Sequence, residues 1–195
     1  LAAAPGDVMG TIAGSTQVVD DAYGNIMAAF SSRGPNGGWF SDLIVPNVTA
    51  PGRAIWAAYH MGATDGEYSY NVIQGTSMSS PQVAGIFALL KQAHPDWSPA
   101  MAKSALMTSA SNWVLQEDGR SWAEPFDAGA GHVDVSPLGS NSAFSPGLVY
   151  DAGFEQYLGF LCGEAPEIFV DPEATCSSLE DEGIPFDPSN LNLAS

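Results

Sequence analysis

The apolar positions of this chain change period as they run from one end to the other. Val8 to Ile12, Thr16 to Val19 and Ile26 to Phe30 are short β-rich runs. The turn-rich string from Ser31 to Gly38 ends the third. Val48 to Ala50 is brief and stops at Pro51-Gly52, while Ala54 to Tyr59 is apolar throughout, as in a strand buried on both faces. The spacing then turns helical. Val83, Ile86, Phe87 and Leu90 share one face of a helix predicted from about Ser79 to Ala93. Pro81 falls in its first turn, where a missing N–H costs nothing, and His94-Pro95 stops it. A second helix is predicted from about Pro99 to Ala110, with Ser98 as N-cap and Pro99 at the first position. Met101, Ala105, Leu106 and Met107 give that helix an apolar face. The pattern then weakens to turns, with one short amphipathic helix expected at Tyr157–Leu161.

Composition narrows the picture. A chain of 195 residues with 45 % hydrophobic residues suits one domain with a core and excludes a disordered polymer. Five bases against 22 acids give a net charge of −17. Such a chain repels phosphate backbones and anionic lipid, so neither nucleic acid nor membrane is an expected partner. No apolar stretch is long enough to span a bilayer. The start, Leu1-Ala-Ala-Ala-Pro5, has no basic region, no long apolar region and no initiator Met. It reads as the beginning of a piece cut from a longer chain. The acid is concentrated late: residues 111–195 hold fifteen acids and one base, Arg120. From Glu164 to Asp187 there are eight acids and no base, with Pro166, Pro172, Pro185 and Pro188 in or beside the run. That stretch reads as loop. Cys162 and Cys176 are either one local disulfide or two unpaired thiols.

The segment with most chemistry is Gly75 to Gly85, Gly-Thr-Ser-Met-Ser-Ser-Pro-Gln-Val-Ala-Gly. Ser77 lies directly before the first predicted helix. A helix N-terminus presents unpaired N–H groups and the positive end of the dipole, which suit an oxyanion developing in acyl transfer. The plain alternative is that Thr76, Ser77, Ser79 and Ser80 are ordinary N-cap residues. The whole string, however, resembles the nucleophile motif of the subtilases, the subtilisin-like serine peptidases. Phe30 to Asn36 and Val48 to Gly52 resemble two further segments of that family, in the family's order. His94 to Pro99, Lys103 to Ala110, Phe126 to Val133 and Pro146 to Asp151 extend the likeness, which covers about residues 8–162. It is nearest to the cucumisin-like, pyrolysin-type branch. Gln82 stands where the family usually has His, and Asn47 where it often has Asp.

The resemblance implies an α/β fold: the C-terminal portion of a largely parallel sheet with flanking helices. It implies residues 1–162 as the C-terminal part of the catalytic domain. Residues 163–195 would be an acidic, Pro-rich loop leading to a fibronectin-III-like domain. Ser77 would be the nucleophile of an exported serine endopeptidase acting on polypeptides. Thr76 and Gly75 would border the oxyanion hole, and Gln74 would touch substrate. Family enzymes place Asp and His before the Ser in chain order. Here His60, His94 and His132 lack the family's context for the base, as do the upstream acids for Asp. The acid, the base and one oxyanion Asn are therefore expected in a missing N-terminal part, and the chain alone is expected to be inactive. No cofactor is expected; loose Ca²⁺ binding by the acidic tail is the only metal considered. The competing readings are a non-catalytic remnant used as a scaffold, and an acidic binding module.

Overall fold

The computed structural model describes residues 24–37, 42–60, 68–136 and 141–192. The strands expected at Val8–Ile12 and Thr16–Val19 lie outside the described residues. Two strands, β1 (Ile55–His60) and β2 (Tyr68–Ile73), form an antiparallel hairpin. β1 was expected as a buried strand. Instead Trp56 is 68 % exposed and stacks on Tyr70 across the hairpin, with ring centroids 4.8 Å apart. A two-stranded ribbon has no second layer, so its apolar residues bury one another rather than enter a core.

The expected parallel sheet is present among the described residues only as two isolated parallel bridges, Ile26 to Leu115 and Thr49 to His132. Among the described residues the runs around Ile26 and Thr49 each find one parallel partner. Ile26 to Phe30 bends into a turn, closed by Ser31 N–H donating to the Ala28 carbonyl at 2.9 Å.

Helix α1 (Thr76–Ala93) starts earlier than the pattern predicted, so Pro81 lies inside it rather than in its first turn. Only Leu90 of its residues is buried. Val83, Ile86 and Phe87 pack on one core cluster with Val48, Ala50, Ala102, Leu106 and Val133. The opposite face, carrying Ala84, Gly85, Ala88 and Leu89, is exposed. α2 (Pro99–Thr108) begins as expected: Ser98 Oγ accepts the Met101 N–H at 3.0 Å. It buries Ala102, Ser104, Ala105, Leu106 and Met107. A short helix, α3 (Pro125–Ala128), follows, and its Asp127 pairs with Arg33 at 2.8 Å.

The acidic stretch is not loop. α4 (Phe154–Glu164) leads into a 3₁₀ turn, then α5 (Pro172–Asp181), and a second 3₁₀ turn at Pro188–Asn192. Asp171 caps α5 by accepting the Ala174 N–H at 3.0 Å, with Pro172 at the first helical position. Composition hid that start signal. A Cys162–Cys176 disulfide joins α4 to α5, with Cα atoms 5.7 Å apart. Gly159 lets the chain pass close behind α4: a Cβ there would stand 2.6 Å from the Pro185 carbonyl oxygen. No described helix is long and apolar enough to cross a membrane.

Candidate active site

β2 feeds directly into the site. Its last residue, Ile73, is followed by Gln74, Gly75 and the first turn of α1. Gly75 is the N-cap, with φ 152°, a conformation that L side chains rarely adopt. The chain thus turns abruptly from strand to helix, and Ser77 becomes the second helical residue. It is exposed, and no hydrogen bond to its hydroxyl is made among the described residues. As one of the first four helical N–H groups, its amide also lacks an intrahelical partner. An exposed hydroxyl and a free amide thus meet at the positive end of an 18-residue helix.

The segment ending at Gly52 holds this turn from behind. Gly75 N–H donates to the Gly52 carbonyl at 2.9 Å. Gln82 Nε2, one face further along α1, donates to the Pro51 carbonyl at 2.5 Å. A Cβ on Gly52 would strike the Ser79 hydroxyl and stand 2.9 Å from the Gly75 oxygen. Sequence reading had taken Pro51-Gly52 as a strand end and Gln82 as a family departure. The structure makes them the support of the serine turn. The signal available was a glycine directly after proline, which marks close approach of two backbones.

Gln74 and Thr76 are exposed beside Ser77, so all four predicted site residues fall on one strand-to-helix turn. Neither histidine with described contacts points them at Ser77. His94 caps the C-terminal end of α1 and stacks on Trp97 at 3.9 Å, with Nε2 3.3 Å from the Phe144 carbonyl. His132 sits in the Thr49 and Ser111 bridges, with Nδ1 3.4 Å from Thr49 Oγ1. Burial holds its pKa below the ordinary value, and Asp134 opposes that only in part. His60 is exposed at the end of β1. Among the described residues no three His, Cys, Asp or Glu side chains gather as a metal site.

The model of the subtilase family matches residues 4–147, most of the chain. The subtilisin-like protease SBT2.5 of Arabidopsis thaliana is 46 % identical over 160 residues, covering 70 % of this chain and 19 % of the relative. SBT4.4 of the same plant is 42 % identical over 180 residues, covering 86 % of this chain and 23 % of the relative. The chain therefore spans about a fifth of the length of the curated relatives it matches.

Proposed function

This chain belongs to the subtilase family, and on that premise we propose that it carries the nucleophile side of a serine endopeptidase site. The observation that supports this is the exposed Ser77 hydroxyl, unbonded among the described residues, in the first turn of α1 behind a glycine with φ 152°. Ser77 Oγ attacks the scissile carbonyl and its proton passes to a histidine base. The carbonyl oxygen, now negative, sits against the Ser77 N–H and the positive end of α1, with Thr76 and Gly75 beside it. Collapse breaks the C–N bond, the amine leaves with the proton, and water then hydrolyses the acyl-enzyme. Gln74 lines the substrate path.

The base, its orienting acid and the second oxyanion donor belong, in this reading, to a part of the catalytic domain outside the chain. The span of about a fifth of the relatives' length supports that division. So does the exposed face of α1, which in the whole catalytic domain packs on that part and on a largely parallel sheet. A serine without a base is a poor nucleophile, and one missing oxyanion donor costs roughly 10²–10³ in rate. The 195-residue chain alone is accordingly inactive. The Cys162–Cys176 disulfide favours an oxidising compartment and so a secreted enzyme. The substrate is a polypeptide, and the reaction needs no cofactor.

Labelling with a fluorophosphonate tests this. In a longer protein that carries this sequence, the probe attaches to the peptide containing Ser77, and Ser77→Ala abolishes both labelling and peptide hydrolysis. The isolated chain is not labelled. Labelling that survives Ser77→Ala refutes the nucleophile, and Ser77-dependent hydrolysis by the isolated chain refutes the division of the site.

A further inference from the structure

A concavity whose lining does not include Ser77 lies between α1, α2 and the start of α4. Its volume is about 570 Å³, within the range of small-molecule sites. Its walls are largely apolar: Val83 and Phe87 of α1, Leu106 and Met107 of α2, Phe154 of α4. The polar groups on its rim are mostly engaged. Asn47 Nδ2 donates to the Ile44 carbonyl at 3.1 Å, and Ser98 Oγ donates to Asp151 at 2.5 Å while accepting from Met101 N–H.

Lys103 is the charged residue of the lining. It lines the cavity from α2 among Leu106 and Met107, on the face that otherwise enters the core. Among the described residues no carboxylate approaches its nitrogen within 4 Å and no hydrogen bond to it is made. That is notable in a chain with 22 acids and five bases. Where acid is so abundant, a half-buried ammonium with no acid beside it among the described residues stands out. Burial also draws its pKa down, the mark of a cation short of compensation.

We propose that this cavity is a binding site for an aliphatic carboxylate, its chain among Val83, Phe87, Leu106 and Phe154 and its carboxylate on Lys103. An acyl chain fits better than a peptide. The Asn47 amide and the Ser98 hydroxyl are already bonded, which leaves a peptide backbone few partners on the rim and a desolvation cost. An acyl chain asks only for apolar wall and one cation. The inference does not rest on Ser77 or on proteolysis.

Decanoate and decanol are the probes, titrated calorimetrically into the full 195-residue chain at neutral pH. They share a tail and differ in charge, so the comparison needs no variant. Decanoate binds one site at least tenfold tighter than decanol. Lys103→Met, which keeps the stem and removes the charge, abolishes that tenfold preference while decanol binding persists. Val83→Trp, which fills the cavity, abolishes both, with circular dichroism showing each variant folded. Equal binding of the two probes, or a preference that survives Lys103→Met, overturns the proposal. So does the absence of decanoate binding. Binding by this chain but not by a longer protein containing it also overturns it, because the cavity is then filled by the protein itself.

Discussion

Replacing Gly85 by alanine separates the isolated chain from a larger domain. Gly85 lies in the interior of α1, on its exposed face, and a Cβ built there meets nothing within 4 Å. In this chain the substitution therefore has no steric cost. What remains is the backbone term: glycine is about 0.8–1.0 kcal/mol less favourable than alanine inside a helix. Gly85→Ala should stabilise the 195-residue chain by about that amount. For a chain of this size the melting temperature rises by roughly 2–4 °C per kcal/mol. Urea unfolding followed by far-ultraviolet dichroism measures it, and the midpoint should move up with no change in slope. The sign should reverse in a longer protein in which Ala84, Gly85 and Ala88 pack against other chain. There the methyl overpacks a closed interface and costs about 1–3 kcal/mol. Two results would refute the reasoning. One is destabilisation of the isolated chain, which would mean the face is already covered. The other is equal stabilisation in the longer protein, which would mean nothing ever covers it.

Gly131 is the opposite case: φ is 124°, and a Cβ would collide with the Ser111 carbonyl, whose carbon would be 2.7 Å away. Gly131→Ala should cost about 2–4 kcal/mol in the same unfolding assay, from backbone strain plus overpacking. Reduction of Cys162–Cys176, 14 residues apart, should cost about 3 kcal/mol by the loop-entropy relation and melt α4 and α5 first, read by hydrogen exchange with and without reductant. His132 has a folded-state pKa lowered chiefly by burial, so the unfolded chain takes up the proton first as pH falls. Its contribution is complete above the unfolded value of about 6.5 and is lost as pH falls toward the folded one. The unfolding free energy of wild type should therefore drop more steeply than that of His132→Asn between about pH 7 and pH 5.

The local parts of the site were legible because local rules decide them. A glycine before Thr-Ser, and helical spacing from Val83 to Leu90, specify a turn into a helix whatever surrounds it. The same holds for α2, whose Ser98-Pro99 start is complete in two residues. Ser77 as the proposed nucleophile was legible only through the likeness of Gly75 to Gly85 to the subtilase motif, since that likeness lies in one unbroken string. What sequence misjudged has a common cause. The acidic stretch was read from its average composition, while α5 is specified by a single cap, Asp171, and a single buried anchor, Leu179. β1 was read as buried because it is apolar, but burial requires a second surface, and among the described residues only β2 pairs with it.

Tertiary structure alone decided the support behind Ser77 and the cavity beside Lys103. Pro51 and Gln82 are far apart in the chain, yet the amide of one holds the carbonyl of the other. Lys103 reads as an ordinary surface lysine until it is seen to line one concavity with Phe87, Leu106 and Phe154. The pairing of Cys162 with Cys176 belongs here too, because it depends on α4 and α5 lying side by side. Periodicity and caps act over one turn of chain and can be read in order. Contacts between distant segments depend on how elements pack, and that is fixed only when their apolar faces have chosen one another.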